Sequence, residues 1–125
     1  MKNFLAMFTV FFTFALNLFA HPPADMTASY DSDNNTITVN LRHRTLDGTS
    51  HRISSYEVIV EGETLEFVRD SQDGNNPTET LALGDLEITE DSKITIIANC
   101  SFYGSLKRNY YFSDSNLIEE DDQDN

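Results

Sequence analysis

The sequence predicts an all-β fold, a β-sandwich of about seven short antiparallel strands. Three observations support this. Apolar and polar residues alternate with the period of about two that is typical of half-buried strands. Clusters rich in Asp, Asn, Gly and Pro separate these segments, as turns and loops do. No long segment carries the period of about 3.6 that an amphipathic helix needs.

The predicted strands follow one another along the chain, with a loop predicted over residues 70–77. In order, they cover residues 36–41, 56–62, 64–68, 80–83, 86–88, 93–100 and 106–112. The third is expected to pair back onto the second, because Gly62 allows a tight turn between them. The hydrophobic positions expected inside the sandwich are Ile37, Val39, Leu41, Val58, Val60, Phe67, Ile94, Ile96 and Ala98.

The first twenty residues differ from the rest and predict a secretory signal peptide over residues 1–20. Lys2 gives a positively charged start, residues 4–19 are mostly apolar, and Ala20 is the small residue before the sequence becomes more polar. A membrane anchor is the alternative, but an apolar stretch of about 16 residues is shorter than the ~20 that a spanning helix needs. The mature protein is therefore expected to begin at His21 and to be soluble and extracytoplasmic, either secreted or periplasmic.

Residues 21–112 are predicted to form one domain, and residues 113–125 an acidic, disordered tail. The formal net charge of −13 argues against binding to nucleic acid or to anionic membranes, since both are polyanions. Cys100 is the only cysteine and cannot form an internal disulfide, so the apolar core must stabilise the fold.

Three histidines and Cys100 are the strongest candidate metal ligands. His43 ends one predicted strand, His51 opens the next, and Cys100 ends the most apolar one. A sandwich gathers strand ends at its two poles, so these side chains and His21 could converge. Imidazoles with one thiolate suit Fe, Zn or Cu. The alternative is that the histidines are ordinary surface residues and that Cys100 is a buried, inert thiol.

The order of the His and Cys motifs resembles the ferrous-iron domain of the superoxide reductases, desulfoferrodoxin and neelaredoxin. These motifs are H-P-P-A-D-M from His21, then His43, H-R-I from His51, and C-S-F-Y-G from Cys100. The resemblance covers residues 21–112 and extends to small exported relatives that begin H-P-P after a signal peptide. It implies an immunoglobulin-like β-sandwich whose iron is held by four histidines and one cysteine, with one position open for superoxide.

The resemblance also implies which residues bind the metal. The matching positions are His21, His43, His51 and Cys100, with Tyr103 at the position of the fourth histidine. A tyrosinate is a harder, anionic ligand that favours ferric iron. The lysine that the family places beside its first histidine is absent, and Arg44 stands where the family has a proline. These departures imply that superoxide reduction is weakened or lost.

The leading interpretation is an exported, iron-binding domain similar to superoxide reductase, with superoxide or another small oxidant as its substrate and an unidentified electron donor. The sequence does not decide whether the protein is an oxidoreductase, and Cu or Zn could replace iron. One alternative is a non-catalytic, immunoglobulin-like interaction module that binds a protein partner. Another is a copper-handling protein that chelates Cu(II) through the α-amino group and imidazole of His21.

Overall fold

The computed structural model describes residues 22–121; the predicted signal peptide, His21 and residues 122–125 lie outside the described residues. Within residues 22–121 the chain forms two antiparallel β-sheets and no helix, which confirms the predicted all-β sandwich. No helix in this part of the chain is long and apolar enough to cross a membrane.

Eight strands form the two sheets of the described region. They are β1 (Asp25–Asp31), β2 (Thr36–Arg42), β3 (Ile53–Val60), β4 (Glu63–Val68), β5 (Thr78–Ala82), β6 (Lys93–Cys100), β7 (Ser105–Ser113) and β8 (Asn116–Glu119). One sheet has the order β1-β2-β5, and the other has the order β4-β3-β6-β7-β8. The chain crosses between the sheets after β2, β4 and β5. The expected hairpin of β3 and β4 is present, with Val60 opposite Glu63.

The core lies between the sheets and is filled by alternate residues of the central strands. Along β2 and β6 the inward row consists of Ile37, Val39, Leu41, Ile94, Ile96 and Ala98, each at most 3% exposed. Because side chains alternate across a strand, one face of each central strand supplies this row. Every core position expected from the sequence is buried except Phe67, which is half-buried on the edge strand β4 and packs against the core.

A β-bulge interrupts the start of β3, beside the end of β6. Ile53 pairs with Cys100, whereas Ser55 pairs with Asn99, so Ser54 is the extra residue. Ile53 and Tyr56 are three positions apart, yet both are buried at 1% exposure because the bulge shifts the alternation. The bulge therefore directs the segment that enters β3 toward the interior.

Three elements differ from the sequence prediction. The edge strand β1 was not predicted, although Met26, Ala28 and Tyr30 alternate with polar residues along it; the whole strand pairs with β2, and Met26 is buried. Residues 86–88 form no strand, because the amide of Leu86 donates to the carbonyl of Leu83 in a turn, although Ile88 is buried. The strand β8 lies inside the segment assigned to a disordered tail, where it pairs with β7 and packs Leu117 against the core.

Candidate metal centre

His43, His51 and Cys100 form a compact cluster at one pole of the sandwich. One potential ligand atom from each lies within 4.8 Å of the other two. His43 is 1% exposed, His51 is 8% exposed, and Cys100 is half-buried. The two imidazole rings meet edge to face, with centroids 4.7 Å apart and an interplanar angle of 90°. The structure thus brings together three of the five residues that the sequence predicts as ligands.

The alternation of the central strands explains this convergence. His43 follows Leu41 by two residues and Cys100 follows Ala98 by two residues, so each extends an inward-facing row by one step. The strands β2 and β6 belong to different sheets, and their ends meet at the same pole. Residues 43–52 then cross between the sheets and return His51 to the start of β3.

Hydrogen bonds within the crossing loop fix the spacing of the two histidines. The hydroxyl of Thr45 donates to the carbonyl of His51 over 2.6 Å, and the amide of His51 donates to the carbonyl of Asp47 over 2.9 Å. The Asp47 carboxylate accepts from the hydroxyl and the amide of Thr49, over 2.6 and 3.0 Å. These bonds from Thr49, with further bonds from Ser50, lower the pKa of Asp47 to about 2.

Gln72 approaches the cluster from the loop between β4 and β5 and is buried at 8% exposure. Its Oε1 lies 2.7 Å from Nδ1 of His43 and accepts the amide of Ile53 over 3.1 Å. Its Nε2 donates to the carbonyl of His43 over 2.8 Å and to that of Gly74 over 2.7 Å. The role of Gln72 could not be predicted from the sequence, because a glutamine in a polar loop gives no signal of a buried contact with a residue 29 positions earlier in the chain.

Gly48 allows the Gln72 loop to lie directly on the crossing loop. The amide of Gln72 donates to the carbonyl of Gly48 over 2.9 Å. A Cβ atom on residue 48 would lie 2.1 Å from the carbonyl oxygen of Gln72, so no side chain fits there without a shift of backbone.

The turn between β6 and β7 covers the other side of the cluster. Phe102 stacks on His51 with ring centroids 4.9 Å apart and planes inclined by 17°. The amide of Ser101 donates to the carbonyl of Arg52 over 2.8 Å, and the amide of Arg52 donates to the hydroxyl of Ser101 over 3.0 Å. The turn that follows Cys100 is therefore tied to the residue that follows His51.

The remaining candidates are two predicted ligands, Tyr103 and His21, and two arginines, Arg44 and Arg52. Tyr103 is 68% exposed, so its role as a ligand stays a prediction, and His21 lies outside the described residues. Arg44 is exposed. The guanidinium of Arg52 donates to the carbonyls of Arg69 and Thr49, over 3.1 and 2.7 Å.

The donor set fits a transition metal. An ion at about 2.0–2.3 Å from imidazole nitrogen and thiolate sulfur lies between donors about 3–4 Å apart. Donor separations within 4.8 Å therefore need only a small inward movement of the side chains. Two imidazoles and one thiolate match zinc, copper and iron better than magnesium or calcium, which prefer oxygen. Comparisons with protein-family models, curated proteins and solved structures found no match.

Proposed function

We propose that this protein is an exported metal-binding domain that holds one transition-metal ion, iron in its native setting, through His43, His51 and Cys100. The single observation that carries the proposal is the convergence of their ligand atoms within 4.8 Å. The burial of both imidazoles supports it, since a metal bound there is shielded from bulk water on the core side. The choice of iron rests on the resemblance to superoxide reductases, because the donor set itself also suits zinc and copper.

His21 is the fourth protein ligand in this proposal. Pro22, the residue next to it, packs on the turn that follows Cys100: a Cβ on Gly104 would lie 3.0 Å from Cβ of Pro22. The carbonyl of Gly104 accepts the amide of Cys100 over 3.0 Å, so this contact adjoins the cluster. His21 directly precedes Pro22 in the sequence, and this adjacency along the chain is the reason for assigning it to the site. Release of His21 by signal cleavage would make its side chain available to the site.

The proposed activity is a weak reduction of superoxide or of another small oxidant. Bound ferrous iron would supply the electron, and a separate donor protein would restore it. The protein residues supply the ligands, and Phe102 shields one face of His51. The guanidinium of Arg52 is directed to backbone carbonyls, and arginine is a poor proton donor, so proton delivery is expected to be slow.

A second candidate function, a non-catalytic interaction module, is favoured by the exposed apolar side chains near this pole. Leu46 in the crossing loop is 97% exposed, and Phe102 and Tyr103 in the β6–β7 turn are 58% and 68% exposed. Exposed apolar residues of this size are typical of surfaces that bind another protein. In this alternative the His/His/Cys cluster would stabilise the pole without a metal.

Anaerobic titration of the mature chain with Co(II), and then with Fe(II), tests the leading proposal. We expect saturable binding with a thiolate-to-metal absorption band, which Cys100→Ser abolishes. The matched control Ser105→Ala changes the same hairpin outside the cluster and should leave the band unchanged. Absence of binding in the wild-type chain, or an unchanged band in Cys100→Ser, would contradict the proposal and favour the interaction module. Tyr103→His should raise any superoxide reduction, since it restores the histidine of the resembled family.

A further inference from the structure

We propose that Gln72 is a positioning residue for the metal centre: it holds the proton of His43 on Nδ1 and so directs Nε2 of His43 to the metal. The metal-binding part of this inference rests on the proposed function, whereas the control of the imidazole by Gln72 does not. Gln72 was not among the ligands expected from the sequence, and it does not bind the metal itself.

The hydrogen bonds of the Gln72 amide determine its orientation. The two hydrogens on Nε2 are both used, one on the carbonyl of His43 over 2.8 Å and one on the carbonyl of Gly74 over 2.7 Å. Oε1 accepts the amide of Ile53 over 3.1 Å. A flipped amide would place its NH₂ group against the Ile53 amide and its oxygen against two carbonyls, so all three contacts exclude the flip.

The orientation of the amide in turn determines the tautomer of His43. An amide oxygen has no hydrogen to donate, so Nδ1 of His43 must be the donor in its 2.7 Å contact with Oε1. A neutral imidazole with its proton on Nδ1 carries the lone pair on Nε2. The lone pair that binds a metal is therefore on Nε2 before any ion arrives. The ring is also buried, at 1% exposure, so its orientation is fixed by the surrounding side chains.

Gln72 also joins the segments that carry the ligands. Its side chain contacts His43, the residue after β2, and Ile53, the first residue of β3. Its backbone amide donates to the carbonyl of Gly48 in the crossing loop over 2.9 Å. Groups that hydrogen-bond to a metal-bound histidine typically change metal affinity about 10–100-fold when they are removed. We expect an effect of that size from the loss of Gln72.

Two substitutions at position 72 separate positioning from simple stability. Gln72→Met keeps a similar volume but removes every hydrogen bond of the amide. Gln72→Glu keeps an acceptor for Nδ1 of His43 but loses both donors to the carbonyls of His43 and Gly74. Both variants should be less stable than the wild-type chain. Only Gln72→Met should allow the proton of His43 to move from Nδ1 to Nε2. Ser92→Ala is the control for stability, because Ser92 is buried at 4% exposure and bonds Thr89 before β6, away from the cluster.

The test is nitrogen-15 NMR of the histidine side chains in the metal-free, mature chain at alkaline pH, followed by titration of each variant with Co(II). The wild-type chain, Gln72→Glu and Ser92→Ala should show His43 protonated on Nδ1, and Gln72→Met should show a mixture or the other tautomer. Affinity for Co(II) should fall about 10–100-fold in Gln72→Met and much less in Ser92→Ala.

The outcomes distinguish this inference from the proposed function. A wild-type His43 protonated on Nε2, or an unchanged tautomer in Gln72→Met, would overturn the role of Gln72. Equal Co(II) affinity in Gln72→Met and the wild-type chain would also overturn it, while leaving the metal site intact. If the tautomer responds as expected but the wild-type chain binds no metal, the control of His43 by Gln72 is supported and the proposed function fails.

Discussion

The ring of His51 lies almost parallel to that of Phe102, with centroids 4.9 Å apart. His51 is buried at 8% exposure, whereas Phe102 is 58% exposed, so the phenyl ring separates the imidazole from solvent. Phe102 follows Cys100 by two residues, and the same turn therefore provides both the thiol and the cover of a histidine.

Replacing Phe102 by Ala should expose His51 and loosen the site without removing a ligand. Aromatic pairs contribute about 0.5–1.5 kcal/mol, so we expect Co(II) to dissociate about 2–10-fold faster. Stopped-flow transfer of Co(II) to a chelator measures this rate. Tyr111→Ala is the control, because Tyr111 is a partly exposed aromatic residue that pairs with Lys93 at the far end of β6. An equal acceleration in both variants would show that the stack does not protect the site.

Gly48→Ala should destabilise the protein and disturb the cluster together. The new Cβ would lie 2.1 Å from the carbonyl oxygen of Gln72, so the two loops must separate. We expect a loss of about 1–3 kcal/mol in the free energy of unfolding in urea, with shifted NMR signals of His43. Gly62→Ala is the control: Gly62 has φ +82° with open space around it, so that variant should cost stability but leave His43 unchanged. Unshifted His43 signals in Gly48→Ala would contradict this.

Ile96→Ala should be a costly truncation, because it removes a side chain from the core. Ile96 is fully buried in the centre of β6, and removal of such a side chain typically costs about 2–5 kcal/mol. Ile118→Ala on the edge strand β8, where the residue is 39% exposed, should stay within about 0.5–1 kcal/mol. Chemical denaturation of both metal-free variants compares them directly. Similar losses of stability in the two variants would mean that Ile96 is not enclosed between the two sheets.

Acid should weaken the crossing loop through Asp47. Its pKa lies at about 2, below the ordinary value of 3.8, because the folded loop donates hydrogen bonds to the ionised carboxylate. This contribution to stability is present above pH 3.8 and is lost as the pH falls toward 2. The difference in stability between the wild-type chain and Asp47→Ala should therefore shrink across that window. Asp85→Ala, at another exposed aspartate, is the control; a constant difference for Asp47→Ala would contradict the assignment.

The central strands were predictable because their sequences alternate over the whole strand. In residues 36–41 and 93–100 an apolar residue stands at every second position, and the structure buries these positions as far as Ala98; Ile97 departs from the alternation and is half-buried. The edge strand β8 was not predicted, because it is four residues long and packs only Leu117 against the core. The edge strand β1 was missed although Met26, Ala28 and Tyr30 alternate with polar residues along it. The bulge at Ser54 could not be predicted from the sequence either, because it depends on how Ile53 and Ser55 pair with β6.

The cluster was predicted in part for the same reason. His43 and Cys100 continue the inward rows of strands that could be recognised, and the short crossing loop keeps His51 near His43. The roles of Gln72 and Gly48 depend on the contact of two loops that are far apart in sequence. No local pattern encodes such a contact, so those two residues emerge only from the folded chain.

The decisive measurement for the proposed metal centre is elemental analysis of the mature protein, purified from its native compartment in parallel with Cys100→Ser. We expect a stoichiometric transition metal, with iron as the expected element, in the wild-type chain and its loss in Cys100→Ser. Ser105→Ala, purified in parallel, should retain the metal. A folded wild-type protein without metal, or an unchanged metal content in Cys100→Ser, would contradict the assignment of His43, His51 and Cys100 as a metal centre.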